Sequence, residues 1–291
     1  MNTRQLRAFV TVCGTGNVSR ASQQLHISQP ALSRQIMDLE EEFGTSFFTR
    51  EKHRLHLTEA GIRFLARAQE MLELEARTRT ELRNAAGMMA GTVRIGCVES
   101  SASEVLADRV ADWHARWPDV CFELYAADGD DIRRELDGGR LDFGILLEPV
   151  ESAKYETVPF PATDRWGVVV PQELFEGRSH VTAADLESVV LSMPRRSIVR
   201  ESLAEWLGLR PSAAAASFTH NLATNQLLLV RRGAGAMLCV EGAFAIRPAE
   251  GLRFLPLHPE KFSGHQIARR RGPHAGRACE AFWNEIAEAS A

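Results

Sequence analysis

Three observations predict an α+β multidomain chain with an N-terminal winged helix-turn-helix, a long linker helix and a C-terminal two-lobed α/β body. The chain has 291 residues, about twice one ordinary domain. Its first 44 or so residues show apolar positions at helical spacing, broken by glycines and capping residues. From Thr92 onward the pattern changes to strands alternating with helices. A composition of 45% hydrophobic and 25% charged residues is that of a globular domain and excludes disordered, collagen-like and solenoid readings. The boundaries expected are 1–58 for the winged head, 59–90 for the linker and 91–161 for the first lobe, with 268–291 returning to it. The second lobe is expected over 162–267.

In the head, Leu6, Phe9, Val10 and Cys13 make one face of a helix that Gly14 and Gly16 end. Asn17 caps a second helix, Val18 to Leu25, with Val18, Ala21 and Leu25 inward. Ser28 caps a third, with Pro30 in its first turn, where a missing N–H costs nothing. Ala31, Leu32, Ile36 and Leu39 are expected inward, and Gly44 stops the helix. Two short helices and a third joined this closely make a helix-turn-helix.

The outward face of the third helix then holds Gln29, Pro30, Ser33, Arg34 and Met37, gathered at the end that enters a major groove in this motif. Glutamine pairs with adenine, arginine with guanine, serine with base or phosphate, and the proline ring suits a thymine methyl. Phe48 to Leu57 alternates and carries Arg50, Lys52, His53, Arg54 and His56, the pattern of a basic hairpin lying on a nucleic-acid backbone or minor groove. Thr58 caps a long helix from Glu59 to about Met88, whose stripe of Ile62, Leu65, Leu72 and Leu82 fits either a second copy of the chain or its own domain. Residues 1–37 hold four arginines and no acid, whereas 88–291 hold 22 basic and 28 acidic side chains, a net charge of -6. A basic head on an acidic body points modestly toward a polyanion partner.

The blocks Leu6-Arg7-Ala8-Phe9, Ile27-Ser28-Gln29-Pro30-Ala31-Leu32-Ser33-Arg34-Gln35-Ile36, Leu39-Glu40-Glu41-Glu42-Phe43-Gly44, Phe48-Thr49-Arg50 and Leu57-Thr58-Glu59-Ala60-Gly61 together resemble the LysR-type transcriptional regulators. The resemblance implies that Ser28, Gln29, Pro30, Ser33 and Arg34 read the major groove and that Arg50 and Arg54 contact phosphate or minor groove. It departs at the wing tip, where Lys52 and His53 replace the usual glycine-arginine pair.

In the body, strands Val93 to Cys97, Cys121 to Ala126 and Phe143 to Leu147 alternate with helices from Ser101 to Trp117 and Asp130 to Gly138. A break at Pro159 to Pro161 is expected before a second unit: Gly167 to Val170, Val189 to Ser192, a helix near Arg200 to Leu207, Ala216 to Phe218, a helix Ala223 to Arg232, and Ala236 to Val240. A final helix, Ala275 to Ala289, carries Phe282, Trp283 and Ile286. Two such lobes resemble the periplasmic-binding-protein-like effector domain of LysR-type regulators. Ligands of open α/β sheets bind beyond the carboxyl ends of strands, which selects Ser100, Ser101, Ser103 and Glu148 in the first lobe and Pro194, Arg195, Arg196, Ser197 and Asn221 in the second. Arg195 and Arg196 suit a carboxylate or phosphate, while Glu99 and Glu148 oppose one.

The expected function is a sequence-specific DNA-binding regulator whose DNA affinity a small molecule, an anion being one option, modulates from between the lobes. The alternative is a cytoplasmic solute-binding or enzymatic α/β protein with a helical head that does not bind DNA. The expected partners are an inverted-repeat operator, a second copy in a dimer or tetramer, and RNA polymerase. No G-x-S-x-G, H-E-x-x-H, P-loop or C-x-x-C occurs, so no catalytic residue, metal or cofactor is expected. The five cysteines are scattered, as buried thiols of a cytoplasmic protein are. Neither an apolar run of about 18 residues nor a signal-like start is present, and no membrane partner is expected.

Overall fold

The computed structural model describes residues 1–51, 54–84, 89–150, 153–208, 217–272 and 276–289. Lys52 and His53 at the wing tip, and the side chains of Arg50, Arg54, Leu82 and Ser197, lie outside the described residues. Contacts divide the chain into two compact units, Met1–Arg83 and Asn84–Ala291.

The head forms where its caps dictate. Asn2 and Gln5 build a capping box for α1 (Thr3–Thr15). Asn17 accepts from the Arg20 N–H to start α2 (Val18–Gln24). Ser28 accepts from the Ala31 N–H to start α3 (Gln29–Phe43), and Gly44 ends α3 with a φ of 63°, a conformation glycine adopts without strain. The core has Phe9, Leu32 and Leu39 fully buried. Phe9 packs against the rings of Phe47, Phe48 and Phe64 at centroid separations of 5.3, 5.2 and 4.9 Å. One inward assignment changes, Ala31 being exposed; Val10, Cys13, Val18 and Leu25 are half-buried against the core, and Ala8 and Val12 are buried. The wing strands β1 (Phe48–Glu51) and β2 (Arg54–Leu57) pair antiparallel.

Helix α4 (Glu59–Asn84) turns only part of the expected stripe inward: Leu65 and Leu72 face the head core and Ile62 does not. Ile62 and Leu74 are 59% and 61% exposed, while Ala68 is buried and Phe64, Leu65, Met71 and Leu72 pack against the head core. The reason is local. Phe64 stacks on Phe47 at 4.4 Å, and Gly61 sits so close to the wing base that a Cβ would lie 2.2 Å from the Phe47 carbonyl oxygen. The first turn of α4 therefore fixes which face the helix buries.

In the body, β3 (Gly91–Cys97), β4 (Val120–Ala126) and β5 (Phe143–Leu147) are parallel, with α5 (Ala102–Arg116) and α6 (Gly129–Asp137) between them. A 17-residue strand, β6 (Tyr155–Pro171), then crosses into the second lobe. That lobe holds α7 (Ala183–Leu186), β7 (Leu191–Pro194), α8 (Ser197–Leu207), β8 (Phe218–His220), α9 (Ala223–Arg231), β9 (Ala236–Val240), α10 (Glu241–Ala245) and β10 (Leu252–Pro256). Strand β11 (Phe262–Arg270) crosses back, and α11 (Gly276–Ala289) packs on the first lobe, Phe282 meeting Trp113 and Phe143 at 5.2 and 5.7 Å. The strand order is β4-β3-β5-β11-β6-β9-β7-β8, with β10 on β6.

The expected break at Pro159 to Pro161 is absent. Residues 155–165 of β6 pair with β11 on one side only, so they form an edge where a missing N–H is tolerated. Strands β10 and β11 and helices α7 and α10 were not anticipated from the sequence.

Phe9→Ala is expected to destabilise the head by about 3–5 kcal/mol, the cost of emptying a buried aromatic site. Chemical denaturation followed by circular dichroism measures it, and a loss under about 1 kcal/mol would show that the ring cluster contributes little.

Candidate functional site

On the head, Ser28, Gln29, Pro30, Arg34 and Met37 are exposed and Ser33 is half-buried. Two of these polar groups are already engaged. The Ser28 hydroxyl caps α3, and the Gln29 Oε1 accepts from the Ser19 hydroxyl of α2 at 3.1 Å, bracing the helix tip. Exposed Ala31 joins this face in place of an inward role. Arg50 stands opposite Leu55 and Arg54 opposite Glu51 in the wing ladder. At the far end of α3, Glu40 accepts from the N–H groups of Phe47 and Phe48 at 2.6 and 3.2 Å. An acid that looks like a solvated trailing charge in sequence thus ties the wing to α3.

Between the lobes lies a cleft of about 120 Å³. Its apolar wall includes Val98, Leu147, Trp166, Val199, Val240 and Ala243; its charged lining groups among the described residues are Glu99, Asp128 and Arg196. Of the expected ligand residues, Ser100, Arg196 and Asn221 line it. Ser101 does not: its hydroxyl and N–H both donate to Asp164, at 2.7 and 2.9 Å. Ser103 donates to the Val98 carbonyl within its own turn. Pro194 ends β7 outside the lining. Glu148 borders a separate cavity of about 510 Å³ with Lys261 and Gln266, and accepts from the Gln266 amide at 3.0 Å.

Arg195 bridges the lobes at the rim, with its guanidinium 2.5 Å from Asp128 and 3.2 Å from Asp131. Its cation lies over the α6 N-terminus, where Asp128 caps the N–H groups of Asp130 and Asp131. Arg196 faces Asp130 at 3.6 Å and donates to the Pro149 carbonyl. Glu99 reaches from the first lobe to the second, accepting from the Ala223 N–H at 2.9 Å and standing 3.1 Å from Arg247. Sequence reasoning placed Glu99 in a cleft loop but missed Arg247, which is 148 positions away and carries no motif.

Residues 3–62 match the bacterial regulatory helix-turn-helix protein of the lysR family, and residues 86–291 match the LysR substrate binding domain. The chain belongs to the LysR family. Relatives include a probable HTH-type transcriptional regulator of Synechococcus elongatus, LrrA, 34% identical over 59% of this chain and 58% of that protein. Another is OxyR, a DNA-binding transcriptional dual regulator of Escherichia coli, 28% identical over 89% of this chain and 86% of that protein. For several curated relatives the match spans only about half to three fifths of their length. Full-length CbnR, solved with its target DNA, shares the fold at a TM-score of 0.77 with 24% identity, each chain covered in full.

In this LysR-family chain the buried thiols are poor nucleophiles, because burial disfavours the thiolate. It pushes Cys97 up to about 12 and raises Cys239 and Cys279 further. Cys13 is likewise pushed up to about 12, while Cys121 is exposed. Among the described residues no cluster of His, Cys, Asp and Glu is arranged to hold a metal, and no helix is long and apolar enough to cross a membrane.

A disulfide-exchange reagent added to native protein is expected to label Cys121 rapidly and Cys97, Cys239 and Cys279 only on unfolding, read by peptide mass spectrometry. Fast labelling of any of those three would contradict their burial. His220, hydrogen-bonded to Ser192 at 2.9 Å, has its pKa lowered by burial from 6.5 to about 4. The unfolded state therefore binds the extra proton first, and stability falls as pH drops from 6.5 toward 4. His220→Gln should flatten the decline in that window; an unchanged pH profile of Tm would assign it to other groups.

Proposed function

We propose that this chain is a sequence-specific transcriptional regulator acting in the cytoplasm, with DNA binding by 1–58 under the control of a small molecule bound between lobes 91–161 (with 268–291) and 162–267. One observation carries the reading: α3 offers Gln29, Pro30, Ala31 and Arg34 on an exposed, capped N-terminal turn, and no acid precedes Asp38 in the chain. An exposed helix tip carrying glutamine, arginine and an apolar ring suits base-edge recognition in a major groove, and the lack of acids there avoids repelling phosphate. Ser28 and Ser33 join Gln29, Pro30 and Arg34 as the major-groove residues, and Arg50 and Arg54 on the wing strands supply phosphate or minor-groove contacts. Residues 59–90 serve as linker and dimerisation helix. Two heads on a symmetric dimer call for an inverted-repeat operator, and pairing of dimers and contact with RNA polymerase follow the same family pattern. The interlobe cleft, with Ser100, Arg196 and Asn221 on its wall, is the effector site, and CbnR, which shares the fold, has been solved in complex with its target DNA.

Arg34→Ala is expected to cost about 1–3 kcal/mol on the operator and little on random duplex, whereas Arg50→Ala weakens both alike and makes the salt slope shallower by about 0.9. Fluorescence anisotropy titrations at several salt concentrations separate the two effects. An Arg34 variant that keeps full operator preference would remove that residue from base readout.

A further inference from the structure

Anion recognition in an α/β cleft needs a helix N-terminus or an arginine whose charge is still available. Here the protein's own carboxylates occupy both. The first turn of α9 begins at Leu222, which gives no side-chain cap, and its Ala223 N–H is taken by Glu99 of the opposite lobe. The Glu99 side chain is only 6% exposed, and its second oxygen lies 3.1 Å from the Arg247 guanidinium. Arg195 is paired with Asp128 and Asp131, and Arg196 shares Asp130 with Arg133. What is left for a ligand is the apolar wall of Val98, Leu147, Trp166, Val199, Val240 and Ala243, with the Asn221 amide as a polar contact. A second carboxylate in this cleft would meet Glu99 and Asp128, two acids against the one arginine of the lining, Arg196, on top of its own desolvation.

We infer that Glu99 acts as an internal substitute for a ligand anion, so that the cleft takes an uncharged, largely apolar molecule the size of a single aromatic ring, bearing one hydrogen-bonding group. The size follows from the volume: about 120 Å³ is close to the roughly 150 Å³ engineered apolar cavity that binds benzene. The inference rests on the reading of the cleft as the effector site, and it departs from the anionic effector that Arg195 and Arg196 suggest in sequence.

The test uses the full chain and pairs of isosteres, benzamide with benzoate and benzyl alcohol with benzoate, followed by thermal shift and calorimetry at millimolar ligand. The neutral members are expected to bind saturably, at least tenfold more tightly than benzoate. Glu99→Ala should empty the position between Ala223 and Arg247 and bring benzoate affinity up at least tenfold. Glu99→Gln, whose amide oxygen still accepts from Ala223, should not. Benzoate binding to the unaltered chain as tightly as benzamide overturns the inference, as does a chain that no neutral member shifts. The unaltered chain decides the point even where Glu99→Ala is too unstable to purify. An operator gel shift run in parallel keeps the two claims apart: loss of operator binding sinks the regulator reading, and benzoate preference with operator binding intact sinks this one alone.

Discussion

Much of the body hangs on one buried carboxylate. Asp164, 2% exposed on the crossing strand β6, accepts from the Ser101 N–H and hydroxyl at the start of α5, and from the Gly242 N–H in the first turn of α10. The two helices belong to different lobes, and each presents its positive end to the same anion. Hydrogen bonds to a charged acceptor in a dry site are worth about 1.5–3 kcal/mol each. Gly242 permits the approach, since a Cβ there would stand 2.0 Å from the Ser101 nitrogen. His265, its side chain fully buried, closes the other side: Nδ1 donates to the Ala162 carbonyl at 3.0 Å, and Nε2 faces Asp164 at 3.5 Å. Burial lowers the imidazole pKa, while the Ala162 carbonyl and the Asp164 carboxylate pull it the other way.

Around that anchor the cleft is a balanced set of charges rather than a cationic trap. The acid–base pairs that span it, Glu99 with Arg247, Asp128 and Asp131 with Arg195, and Asp130 with Arg196, join one lobe to the other. Such pairs are expensive to desolvate and contribute little to net stability, but they fix orientation, because breaking one leaves a charge without its partner. The head follows the same logic on a smaller scale. Its helix ends are satisfied by Asn2, Asn17 and Ser28, and Gln29 is braced by Ser19, so the recognition tip is held by its own hydrogen bonds before any duplex arrives.

How far these features were legible in the sequence depended on how local their causes are. The caps, glycine stops and helix bounds of the head were readable because each is decided within four residues. The parallel strands of the first lobe were readable for a similar reason, their apolar runs being short and bounded by turns. The inward face of α4 was not fully legible: Leu65 and Leu72 lie on it as the pattern places them, but Ile62 is turned out and Phe64 turned in, where it stacks on Phe47 beside the close approach at Gly61. Nor was the continuity of β6 through Pro159 and Pro161, which depends on its pairing on one side only. In the cleft, strand ends located the right loops, but the partner of each polar group was set by residues tens to over a hundred positions away. Ser101 therefore turned out to serve the anchor, and Arg195 an ion pair.

The crossing strand has a mechanical corollary. Its ladder with β11 runs in step from Tyr155 to Phe160, jumps between His265 and Gly264, and resumes at Thr163. Everywhere else β6 is stiffened by a neighbouring ladder, so Pro161 and Ala162 form its natural fulcrum. A rotation of one lobe against the other would have to bend β6 at these two residues, two positions before Asp164, together with the neighbouring β11 at Gly264 and His265.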